Sequence, residues 1–253
     1  MLSSETRGEV VVLRMEHGKA NALDLELLEA MSSRLAELAD RAGSASLPLV
    51  LTGSGTIFSA GVDLFRLLAA EPGYLARFLP ALDAALGGLF AFPHPVVAAI
   101  NGHAIAGGCI LALACDHRIL ADGKGRMGVT ELQVGVPFPA LPLEIVRAAL
   151  PPHHAQEAIV TGRTYAPAEA LARGFADELV PPERLLDRAC EVAAALGAIP
   201  AASFALTKRQ LRRPALERVQ ALADLQPEVA AVWSAEATHR TIRAYIDRTI
   251  RRG

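Results

Sequence analysis

Short β-branched runs alternate with longer helical patterns along most of this chain, and this alternation restricts the fold more than any other feature. The helical patterns are Asp24–Ala42, with Asp24 as the expected N-cap, Tyr74–Phe90 and Gly107–Ala114. The runs that predict strands are Val10–Met15, Leu47–Thr52, Val96–Ile100, Arg118–Leu120 and, more weakly, Asp177–Val180. We therefore predict an α/β fold in which helices cover internal strands.

The pattern becomes mostly helical from about Ala168 onward. The expected helices there are Ala168–Arg173, Glu183–Leu196, Ala202–Leu211 and a long run after Ala215. We divide the chain into a core, residues 1–190, and a helical C-terminal region, residues 191–253. Apolar residues recur in the last helices, which favours packing of this region against another subunit: Val232, Trp233, Ile242, Tyr245 and Ile246.

Composition excludes several functional classes. The 253 residues carry a net charge of only −2, so no overall field favours nucleic acid or an acidic membrane. Five arginines near the C-terminus are a local exception, which a solvated helix face explains: Arg240, Arg243, Arg248, Arg251 and Arg252. The segment Val96–Cys115 is long enough to span a membrane, but Asn101, Gly102 and the glycines after them predict a buried strand, a turn and a buried helix instead.

The three cysteines, Cys109, Cys115 and Cys190, form no C-x-x-C pair, so we expect no metal site. They suit a reducing cytoplasm, and the first residues show no basic segment followed by an apolar one, as an export signal would. We therefore expect a cytoplasmic protein with no membrane and no nucleic acid among its partners.

Two segments place small residues directly after apolar strands. The first runs from Ile57 to Leu64, and the second runs from Asn101 to Cys109 and leads into an apolar helix. Such turns leave backbone N–H groups unpaired, and a helix N-terminus favours an oxyanion. Two such turns could form an oxyanion hole, or both could be ordinary strand–helix turns. Neither reads as a phosphate loop, because Gly108 precedes Cys109 rather than Lys and Ser or Thr, and Arg14–Ala22 lacks the dinucleotide fingerprint.

The two segments resemble the crotonase (enoyl-CoA hydratase/isomerase) family. The resemblance rests on Phe58–Leu64, on Asn101–Cys109 and on Cys115–Asp122, with further support from Lys19–Leu23 and Ala168–Asp177. It implies a ββα spiral core with a helical C-terminal trimerisation region, and hence a homotrimer or a dimer of trimers.

The resemblance also implies an acyl-CoA thioester substrate. The N–H groups of Val62 and Gly107 would hold the thioester oxygen. Coenzyme A would enter as part of the substrate, and no metal or other cofactor is expected. The residues implied to bind the CoA thioester are Ser59, Ala60, Gly61, Val62, Asp63, Leu64, Gly107 and Gly108.

Hydratases of this family use two glutamates, and this sequence matches only one of them. Ile110 stands at the first position and Glu131 at the second. Because hydration needs acid–base chemistry at both positions, the loss of one carboxylate favours moving a double bond, for which one base suffices. The segment around Glu131 resembles the mitochondrial type of Δ3,Δ2-enoyl-CoA isomerase. We therefore expect an enoyl-CoA isomerase with Glu131 as the only base, and keep a hydratase, an acyl-CoA decarboxylase and a non-catalytic acyl-CoA-binding protein as alternatives.

Other residues are weaker candidates. His94 and His103 are expected to be structural rather than basic, and Cys109 lacks a paired base. Asp63 and Asp116 are expected to stabilise turns. Trp233 and Arg240 are candidates, by the resemblance, for contacts with a neighbouring subunit's adenine, although core packing is favoured for Trp233.

Overall fold

The computed structural model describes residues 2–42, 46–71 and 73–249. Its strands are β1 (Leu2–Arg7), β2 (Val10–Met15), β3 (Leu49–Thr52), β4 (Ile57–Ser59), β5 (Val96–Ile100), β6 (His103–Ile105), β7 (His117–Ala121), β8 (Met127–Gly128) and β9 (Glu178–Val180). Its α-helices are α1 (Leu25–Ala42), α2 (Leu64–Ala69), α3 (Tyr74–Phe90), α4 (Gly107–Ala114), α5 (Ala140–Ala149), α6 (Pro152–Thr161), α7 (Pro167–Ala172), α8 (Leu185–Gly197), α9 (Ala201–Ala221), α10 (Gln226–Ser234) and α11 (Glu236–Thr249). Short 3₁₀ helices lie at Glu131–Val134, Pro182–Arg184 and Ala223–Leu225. Arg251 and Arg252 lie outside the described residues.

The strands form two sheets. The larger sheet has the order β1-β2-β3-β5-β7-β9 and is parallel except for the β1–β2 hairpin. The smaller sheet has the order β4-β6-β8 and is parallel throughout. Three times in succession, a strand of the larger sheet is followed by a strand of the smaller sheet and then by helix, which winds the chain into a spiral of ββα units.

Both faces of the larger sheet are buried along β2, β3 and β5, which explains why these strands are mainly apolar, whereas β1 is polar and exposed. On β2, Val11, Leu13 and Met15 face the main core, whereas Val10 and Val12 face the cluster that α8 covers. Helix α8 contributes Leu185, Ala189 and Ala193 to that cluster. The alternating faces of each strand thus bury two separate sets of side chains.

The five predicted strands and the three predicted N-terminal helices are present, with small shifts at their ends. Asp24 caps α1 as expected, because its Oδ1 accepts from the Leu27 amide at 2.9 Å. Four strands were not predicted: β1, which is a polar edge strand, and β4, β6 and β8, which have only two or three residues and no periodicity. The segment Val96–Cys115 is a buried strand, a short strand and a buried helix, as predicted.

The helical part of the chain differs from the prediction in three respects. The mostly helical part of the chain begins at Ala140, earlier than the expected Ala168. Helix α9 is continuous through Pro214, where a break was expected; Pro214 is exposed, and the buried Ala215 and the part-buried Arg212 anchor the helix on either side of it. The boundary expected after residue 190 falls inside α8, which packs on the sheet as one unit; the division into a core and a C-terminal region stays a prediction.

No single helix among the described residues is long and apolar enough to cross a membrane. The segments Pro182–Gly197 and Ala201–Ala221 satisfy the length and composition only when they are joined, and they are bent by 102° at their junction.

Candidate active site

The small sheet positions the predicted site residues. Strands β4, β6 and β8 are parallel neighbours, so their carboxyl ends lie at one edge. Val62 follows the end of β4 by three residues, Gly107 follows β6 by two and Glu131 follows β8 by three. The sheet topology therefore brings together three residues that are 45 and 24 positions apart in the sequence.

The turn after β4 leaves one backbone N–H free. Leu23 forms a parallel bridge to Val62, in which the Leu23 amide donates to Gly61 O at 2.8 Å and the Asp63 amide donates to Leu23 O at 3.0 Å. In such a bridge the N–H of Val62 itself points away from Leu23. Among the described residues no acceptor is found for it.

The second donor is at the start of α4. The Gly107 amide is in the first turn of this helix, where no helical acceptor exists, and it also lacks an acceptor among the residues described. Ala106, the N-cap, has φ 50° and ψ −127°, a conformation that L residues rarely adopt. Its own amide donates to Gly128 O at 2.8 Å, which ties the entry of α4 to β8.

The two turns touch each other. A Cβ placed on Gly61 would lie 2.6 Å from Ile105 O and 3.1 Å from Gly107 N, and a Cβ on Gly107 would lie 3.9 Å from Val62 Cγ2. Gly61 also has φ 81°. Glycine is therefore required at position 61, both for its backbone conformation and because the second turn passes so close. The arrangement places two unpaired donors side by side, as an oxyanion hole requires.

A cleft opens beside these donors. Its walls come from the His17–Ala22 turn, from the Ala60–Phe65 turn, from α3, α4 and α5 and from the C-terminal helices. The residues that line it include His17, Lys19, Ala60, Val62, Asp63, Leu64, Leu82, Leu86, Gly107, Ile110, Thr130, Glu131, Val136, Pro142, Trp233 and Tyr245. Apart from Glu131, Thr130, Trp233 and Tyr245, the side chains from α3 onward are apolar or absent, whereas His17, Lys19 and Asp63 cluster in the two N-terminal turns.

Glu131 is a buried carboxylate in this cleft. The residue is only 6% exposed, and its Oε2 is fully buried with no hydrogen-bond partner. Burial raises the pKa of Glu131 to about 8, and a hydrogen bond from its own backbone N–H opposes this shift only weakly. A carboxylate of this kind is a stronger base than an ordinary glutamate once it is deprotonated.

Ile110 lies on the first turn of α4, three residues beyond Gly107, and faces the same cleft. It is 2% exposed. Asp63 is the other carboxylate residue among the lining, but its Oδ1 accepts from the Arg66 amide at 2.9 Å and caps α2. Glu131 is thus the one lining carboxylate, within the described residues, that has no such structural bond.

The chain belongs to the enoyl-CoA hydratase/isomerase family. The sequence profile of that family matches residues 5–249. The human mitochondrial enoyl-CoA delta isomerase 1 is 31% identical over 242 residues, which cover 94% of this chain and 80% of that protein. A putative enoyl-CoA hydratase of Thermus thermophilus is 36% identical over 192 residues, covering 74% of this chain and 72% of that protein.

Solved structures of family members have the same fold. Human mitochondrial Δ3-Δ2-enoyl-CoA isomerase matches with a TM-score of 0.91 at 29% identity, over 99% of this chain and 98% of that one. A probable enoyl-CoA hydratase from Mycobacterium tuberculosis matches with a TM-score of 0.81 at 31% identity, over 90% and 94% of the two chains. The crotonase-like ββα spiral expected from the sequence is therefore confirmed.

Within this family fold, the eight residues implied to bind the thioester fall into two groups. Ala60, Val62, Asp63, Leu64 and Gly107 line the cleft. Ser59, Gly61 and Gly108 do not; Ser59 is fully buried behind the first turn, and a Cβ on Gly108 would lie 2.3 Å from Ser59 O. These three residues hold the turns together rather than face the cleft.

The weaker candidates have structural environments. His94 and His103 lie outside the cleft, and burial lowers the pKa of His94. Burial raises the pKa of the Cys109 thiol far above its usual range, which leaves it protonated and unreactive. Asp63 stabilises the turn that leads into α2, as expected. Asp116 instead joins separate elements, because its Oδ2 accepts from the Val96 amide of β5 at 2.9 Å and from Lys208 Nζ of α9 at 2.7 Å.

Trp233 packs in the core of its own chain. It is 2% exposed, its Nε1 donates to Pro137 O at 2.9 Å, and its ring lies 6.3 Å from that of Phe78. Arg240 is exposed and pairs with Glu236 at 3.1 Å. Core packing, the favoured interpretation of Trp233, is therefore correct, although its ring also lines the cleft.

Some cleft residues were not predicted. Lys19 is the first residue of the Lys19–Leu23 motif and His17 lies two residues before it, but neither was predicted to line the cleft. The apolar residues around Leu23 did not indicate its bridge to Val62 either. Tyr245 comes from α11, more than a hundred residues beyond Glu131, and nothing local in the sequence links the two. No cluster of three or more His, Cys, Asp or Glu side chains in the described ranges is placed to hold a metal ion.

Proposed function

We propose that this protein is an enoyl-CoA isomerase that moves the double bond of a 3-enoyl-CoA to the 2-position. The observation that carries the proposal is a single buried carboxylate, Glu131, whose Oε2 has no hydrogen-bond partner, in a cleft with the two free backbone donors Val62 and Gly107. Ile110 occupies the place where a second carboxylate would be needed for hydration.

The proposed reaction needs one base and one oxyanion hole. Glu131 takes a proton from C2 of the 3-enoyl-CoA, and the electron pair moves into the thioester to give a dienolate. The N–H groups of Val62 and Gly107 stabilise the oxygen that carries the charge. The carboxylic acid of Glu131 then returns the proton to C4, which leaves the double bond between C2 and C3 and restores the carboxylate.

Hydration is the second candidate, because relatives described as hydratases are about as similar as the isomerases. Hydration requires a water molecule to be oriented and deprotonated while a proton is delivered to carbon, which is work for two groups. Asp63 is engaged as a helix cap and Ile110 has no polar atom, so neither supplies the second group. The lack of a second proton-transferring side chain therefore favours isomerisation over hydration.

The substrate is proposed to be a CoA thioester with an apolar acyl group. The side chains from α3, α5 and α10 that line the cleft are apolar or, in Trp233, already hydrogen-bonded. A charged acyl group would therefore be buried there without a partner. The proposed reaction needs no separate cofactor, since backbone donors and Glu131 account for both charge stabilisation and proton transfer.

The distinguishing experiment offers three substrates to the purified protein. We expect 3-enoyl-CoA to yield 2-enoyl-CoA, whereas 2-enoyl-CoA gains no water at a comparable rate and a malonyl-type CoA loses no carboxylate. Faster hydration than isomerisation would assign the hydratase reaction, and loss of carbon dioxide would assign the decarboxylase reaction. If all three compounds remain unchanged although acetyl-CoA binds, the non-catalytic alternative applies.

The absence of a separate cofactor stays a prediction. Acetyl-CoA titrated by calorimetry into metal-stripped protein is expected to bind, because the donors are backbone groups. The absence of binding at millimolar ligand would contradict this expectation. A cytoplasmic location stays a prediction as well, since the relatives include both mitochondrial and bacterial proteins.

A further inference from the structure

Asn21 is a buried hub behind the cleft, although the reaction proposed above does not use it. It is 1% exposed and has φ 46°, which makes it, with Ala106, one of two non-glycine residues with positive φ among those described. Its Oδ1 accepts from the His17 amide at 2.8 Å, and its Nδ2 donates to Ile57 O and Phe58 O, both at 3.2 Å. The side chain therefore joins the His17–Asn21 turn to strand β4.

Ser59 continues this network into the first donor turn. Its hydroxyl is fully buried, donates to Asn21 O at 2.7 Å and accepts from the Gly61 amide at 3.2 Å. A serine hydroxyl has one proton and two lone pairs, so it can make both bonds at once. The Gly61 amide thereby has a partner. It belongs to the Ala60–Gly61 peptide group, which directly precedes the Gly61–Val62 peptide group that carries the Val62 N–H.

The backbone amides of the two residues before Val62 and of the residue after it are all hydrogen-bonded within the protein. The Ala60 amide donates to Ala20 O at 3.0 Å, the Gly61 amide donates to Ser59 Oγ, and the Asp63 amide donates to Leu23 O. Two of these three acceptors lie in the segment that Asn21 fixes, Ala20–Leu23, and the third is Ser59, which is bonded to Asn21. The Val62 N–H itself belongs to the Gly61–Val62 peptide group, whose carbonyl oxygen accepts from the Leu23 amide at 2.8 Å. Its direction is thus set by Leu23 and by the preceding Ala60–Gly61 peptide group, which Ser59 and the Asn21 segment hold.

We propose that Asn21 and Ser59 are positioning residues for the oxyanion donor Val62. This inference rests on the proposed function. Without the Ser59 hydroxyl the Gly61 amide loses its acceptor in a buried site, so the Ala60–Gly61 peptide group can rotate. This rotation shifts the next peptide group, which carries the Val62 N–H, relative to the thioester oxygen. Since an oxyanion donor acts mainly on the charge that develops during reaction, its misalignment lowers turnover more than substrate affinity.

The test uses Ser59→Ala, which removes the hydroxyl and adds no bulk. The side chain that replaces Ser59 has to be small, because Gly108 packs against the Cβ of residue 59. Asn21→Gly is the second variant, since glycine accepts a positive φ and so removes the side-chain bonds without adding strain. Ser32→Ala is the matched control: the Ser32 hydroxyl also donates to a backbone carbonyl, Leu28 O at 3.0 Å, but it lies on α1 outside the cleft.

The first readout is the carbonyl stretch of bound octanoyl-CoA labelled with carbon-13 at the thioester carbonyl. This saturated compound cannot isomerise, so the measurement does not depend on the proposed reaction. Hydrogen bonds to the oxygen lower the stretching frequency in the wild type and in Ser32→Ala, and we expect Ser59→Ala and Asn21→Gly to show a smaller shift. Folded Ser59→Ala protein with the full wild-type shift would overturn the proposal, as would a wild-type protein that shows no shift.

The second readout is the kinetics of 3-enoyl-CoA isomerisation. We expect Ser59→Ala to lower kcat by about tenfold and to leave KM within about twofold, the pattern of an interaction made in the transition state. A rise in KM at unchanged kcat would overturn the positioning role. If Asn21→Gly does not fold, Ser59→Ala alone decides; if the wild type does not isomerise, the carbonyl spectrum still decides, so that the two proposals fail separately.

Discussion

Glu131 is a carboxylate that the fold buries while leaving its Oε2 without a hydrogen-bond partner. If it is the only proton carrier, Glu131→Gln should nearly abolish double-bond migration while CoA-thioester binding stays almost unchanged, because the amide keeps the shape but cannot accept the proton. The measurement is kcat on 3-enoyl-CoA beside a binding titration. Glu217→Gln, an exposed glutamate on α9, is the matched control.

A variant that keeps more than about a tenth of wild-type turnover would contradict the role of Glu131. That loss corresponds to only about 1.4 kcal/mol in the activation barrier, far less than the removal of an essential base should cost.

The pH dependence follows from the raised pKa of Glu131. Because burial raises that pKa to about 8, the carboxyl group is mostly protonated at pH 7 in the free protein, and only the deprotonated form is a base. We expect kcat/KM to increase as the pH rises from 6 through about 8 and then to level off. If kcat/KM is constant between pH 6 and 9, Glu131 with its raised pKa is not the base.

Stability should change in the opposite direction. Because the folded-state pKa of Glu131 lies above the unfolded value of 4.5, the contribution of this one group to stability is greatest below pH 4.5 and is lost as the pH rises through about 8. Glu131→Gln removes this loss. We therefore expect the variant to exceed the wild type in free energy of unfolding at pH 9, by on the order of a few kcal/mol, and to differ little near pH 5. Urea denaturation at both pH values measures the difference.

At the scale of secondary structure, α9 is attached to the strand ends by a buried ion pair. Lys208 is 5% exposed, and its Nζ donates to Asp116 Oδ2 at 2.7 Å and to His94 O at 3.3 Å. Arg212 approaches Asp116 Oδ1 at 3.4 Å. Burial lowers the pKa of Lys208, while the charge of Asp116 opposes that shift. Asp116 thus accepts from two basic side chains of α9, Lys208 and Arg212.

Asp116→Asn is expected to destabilise the protein by about 3–5 kcal/mol, because it leaves the charge of Lys208 buried without a counter-charge. Chemical denaturation measures this cost. The double variant Asp116→Asn/Lys208→Met should recover part of the lost stability, since it removes the unpaired charge as well. A cost below about 1 kcal/mol for the single variant would show that the pair contributes little to the docking of α9.

The sequence predicted those elements that carry a pattern long enough to detect. Strands β2 and β5 were predicted with their observed bounds, because runs that are almost entirely apolar, interrupted only by Arg14 in β2, reflect burial on both faces. Strands β4, β6 and β8 were missed, although they position the whole candidate site, because two or three residues carry no periodicity. The predicted helices left a gap between Leu211 and Ala215, whereas tertiary packing keeps α9 continuous from Ala201 to Ala221, through Pro214.

The site was predictable mainly through the family resemblance. From the residues alone, the two glycine turns could have been ordinary strand–helix connections. Their shared sheet edge is a property of topology, which local sequence does not encode. The positive φ of Asn21 and of Ala106 is likewise imposed by surrounding bonds, because neither residue type requires it. The contributions of Trp233 and Tyr245 depend on how distant helices return to the cleft.

At the scale of the whole molecule, the last two helices return to the cleft of their own chain. Helix α11 packs on Glu131–Val134 and on α2, and Thr241 lies against Gly135, where a Cβ would approach its Cγ2 to 3.1 Å. Trp233 of α10 and Tyr245 of α11 line the cleft. The C-terminal region is therefore part of the site and not only a peripheral layer.

Other apolar side chains of the same region remain uncovered. Leu206 and Leu211 on α9 are 48% and 74% exposed, and Leu225 and Val232 are 45% and 42% exposed. Exposed apolar residues concentrated in one region of a chain favour a subunit contact. This surface supports the predicted homotrimer or dimer of trimers, whose closed symmetry would repeat one contact around an axis.

Light scattering after size exclusion tests the assembly. We expect a mass of about three or six times the 26.7 kDa of the chain at micromolar concentration. If the C-terminal helices form the contact, Leu211→Glu should shift the mass toward that of the monomer, because it places a charge where apolar surface is buried. Val160→Glu is the matched control, since Val160 is 64% exposed but lies on α6. A wild-type protein that is a stable monomer would contradict the predicted assembly, and equal dissociation in both variants would exclude the α9 surface as its specific contact.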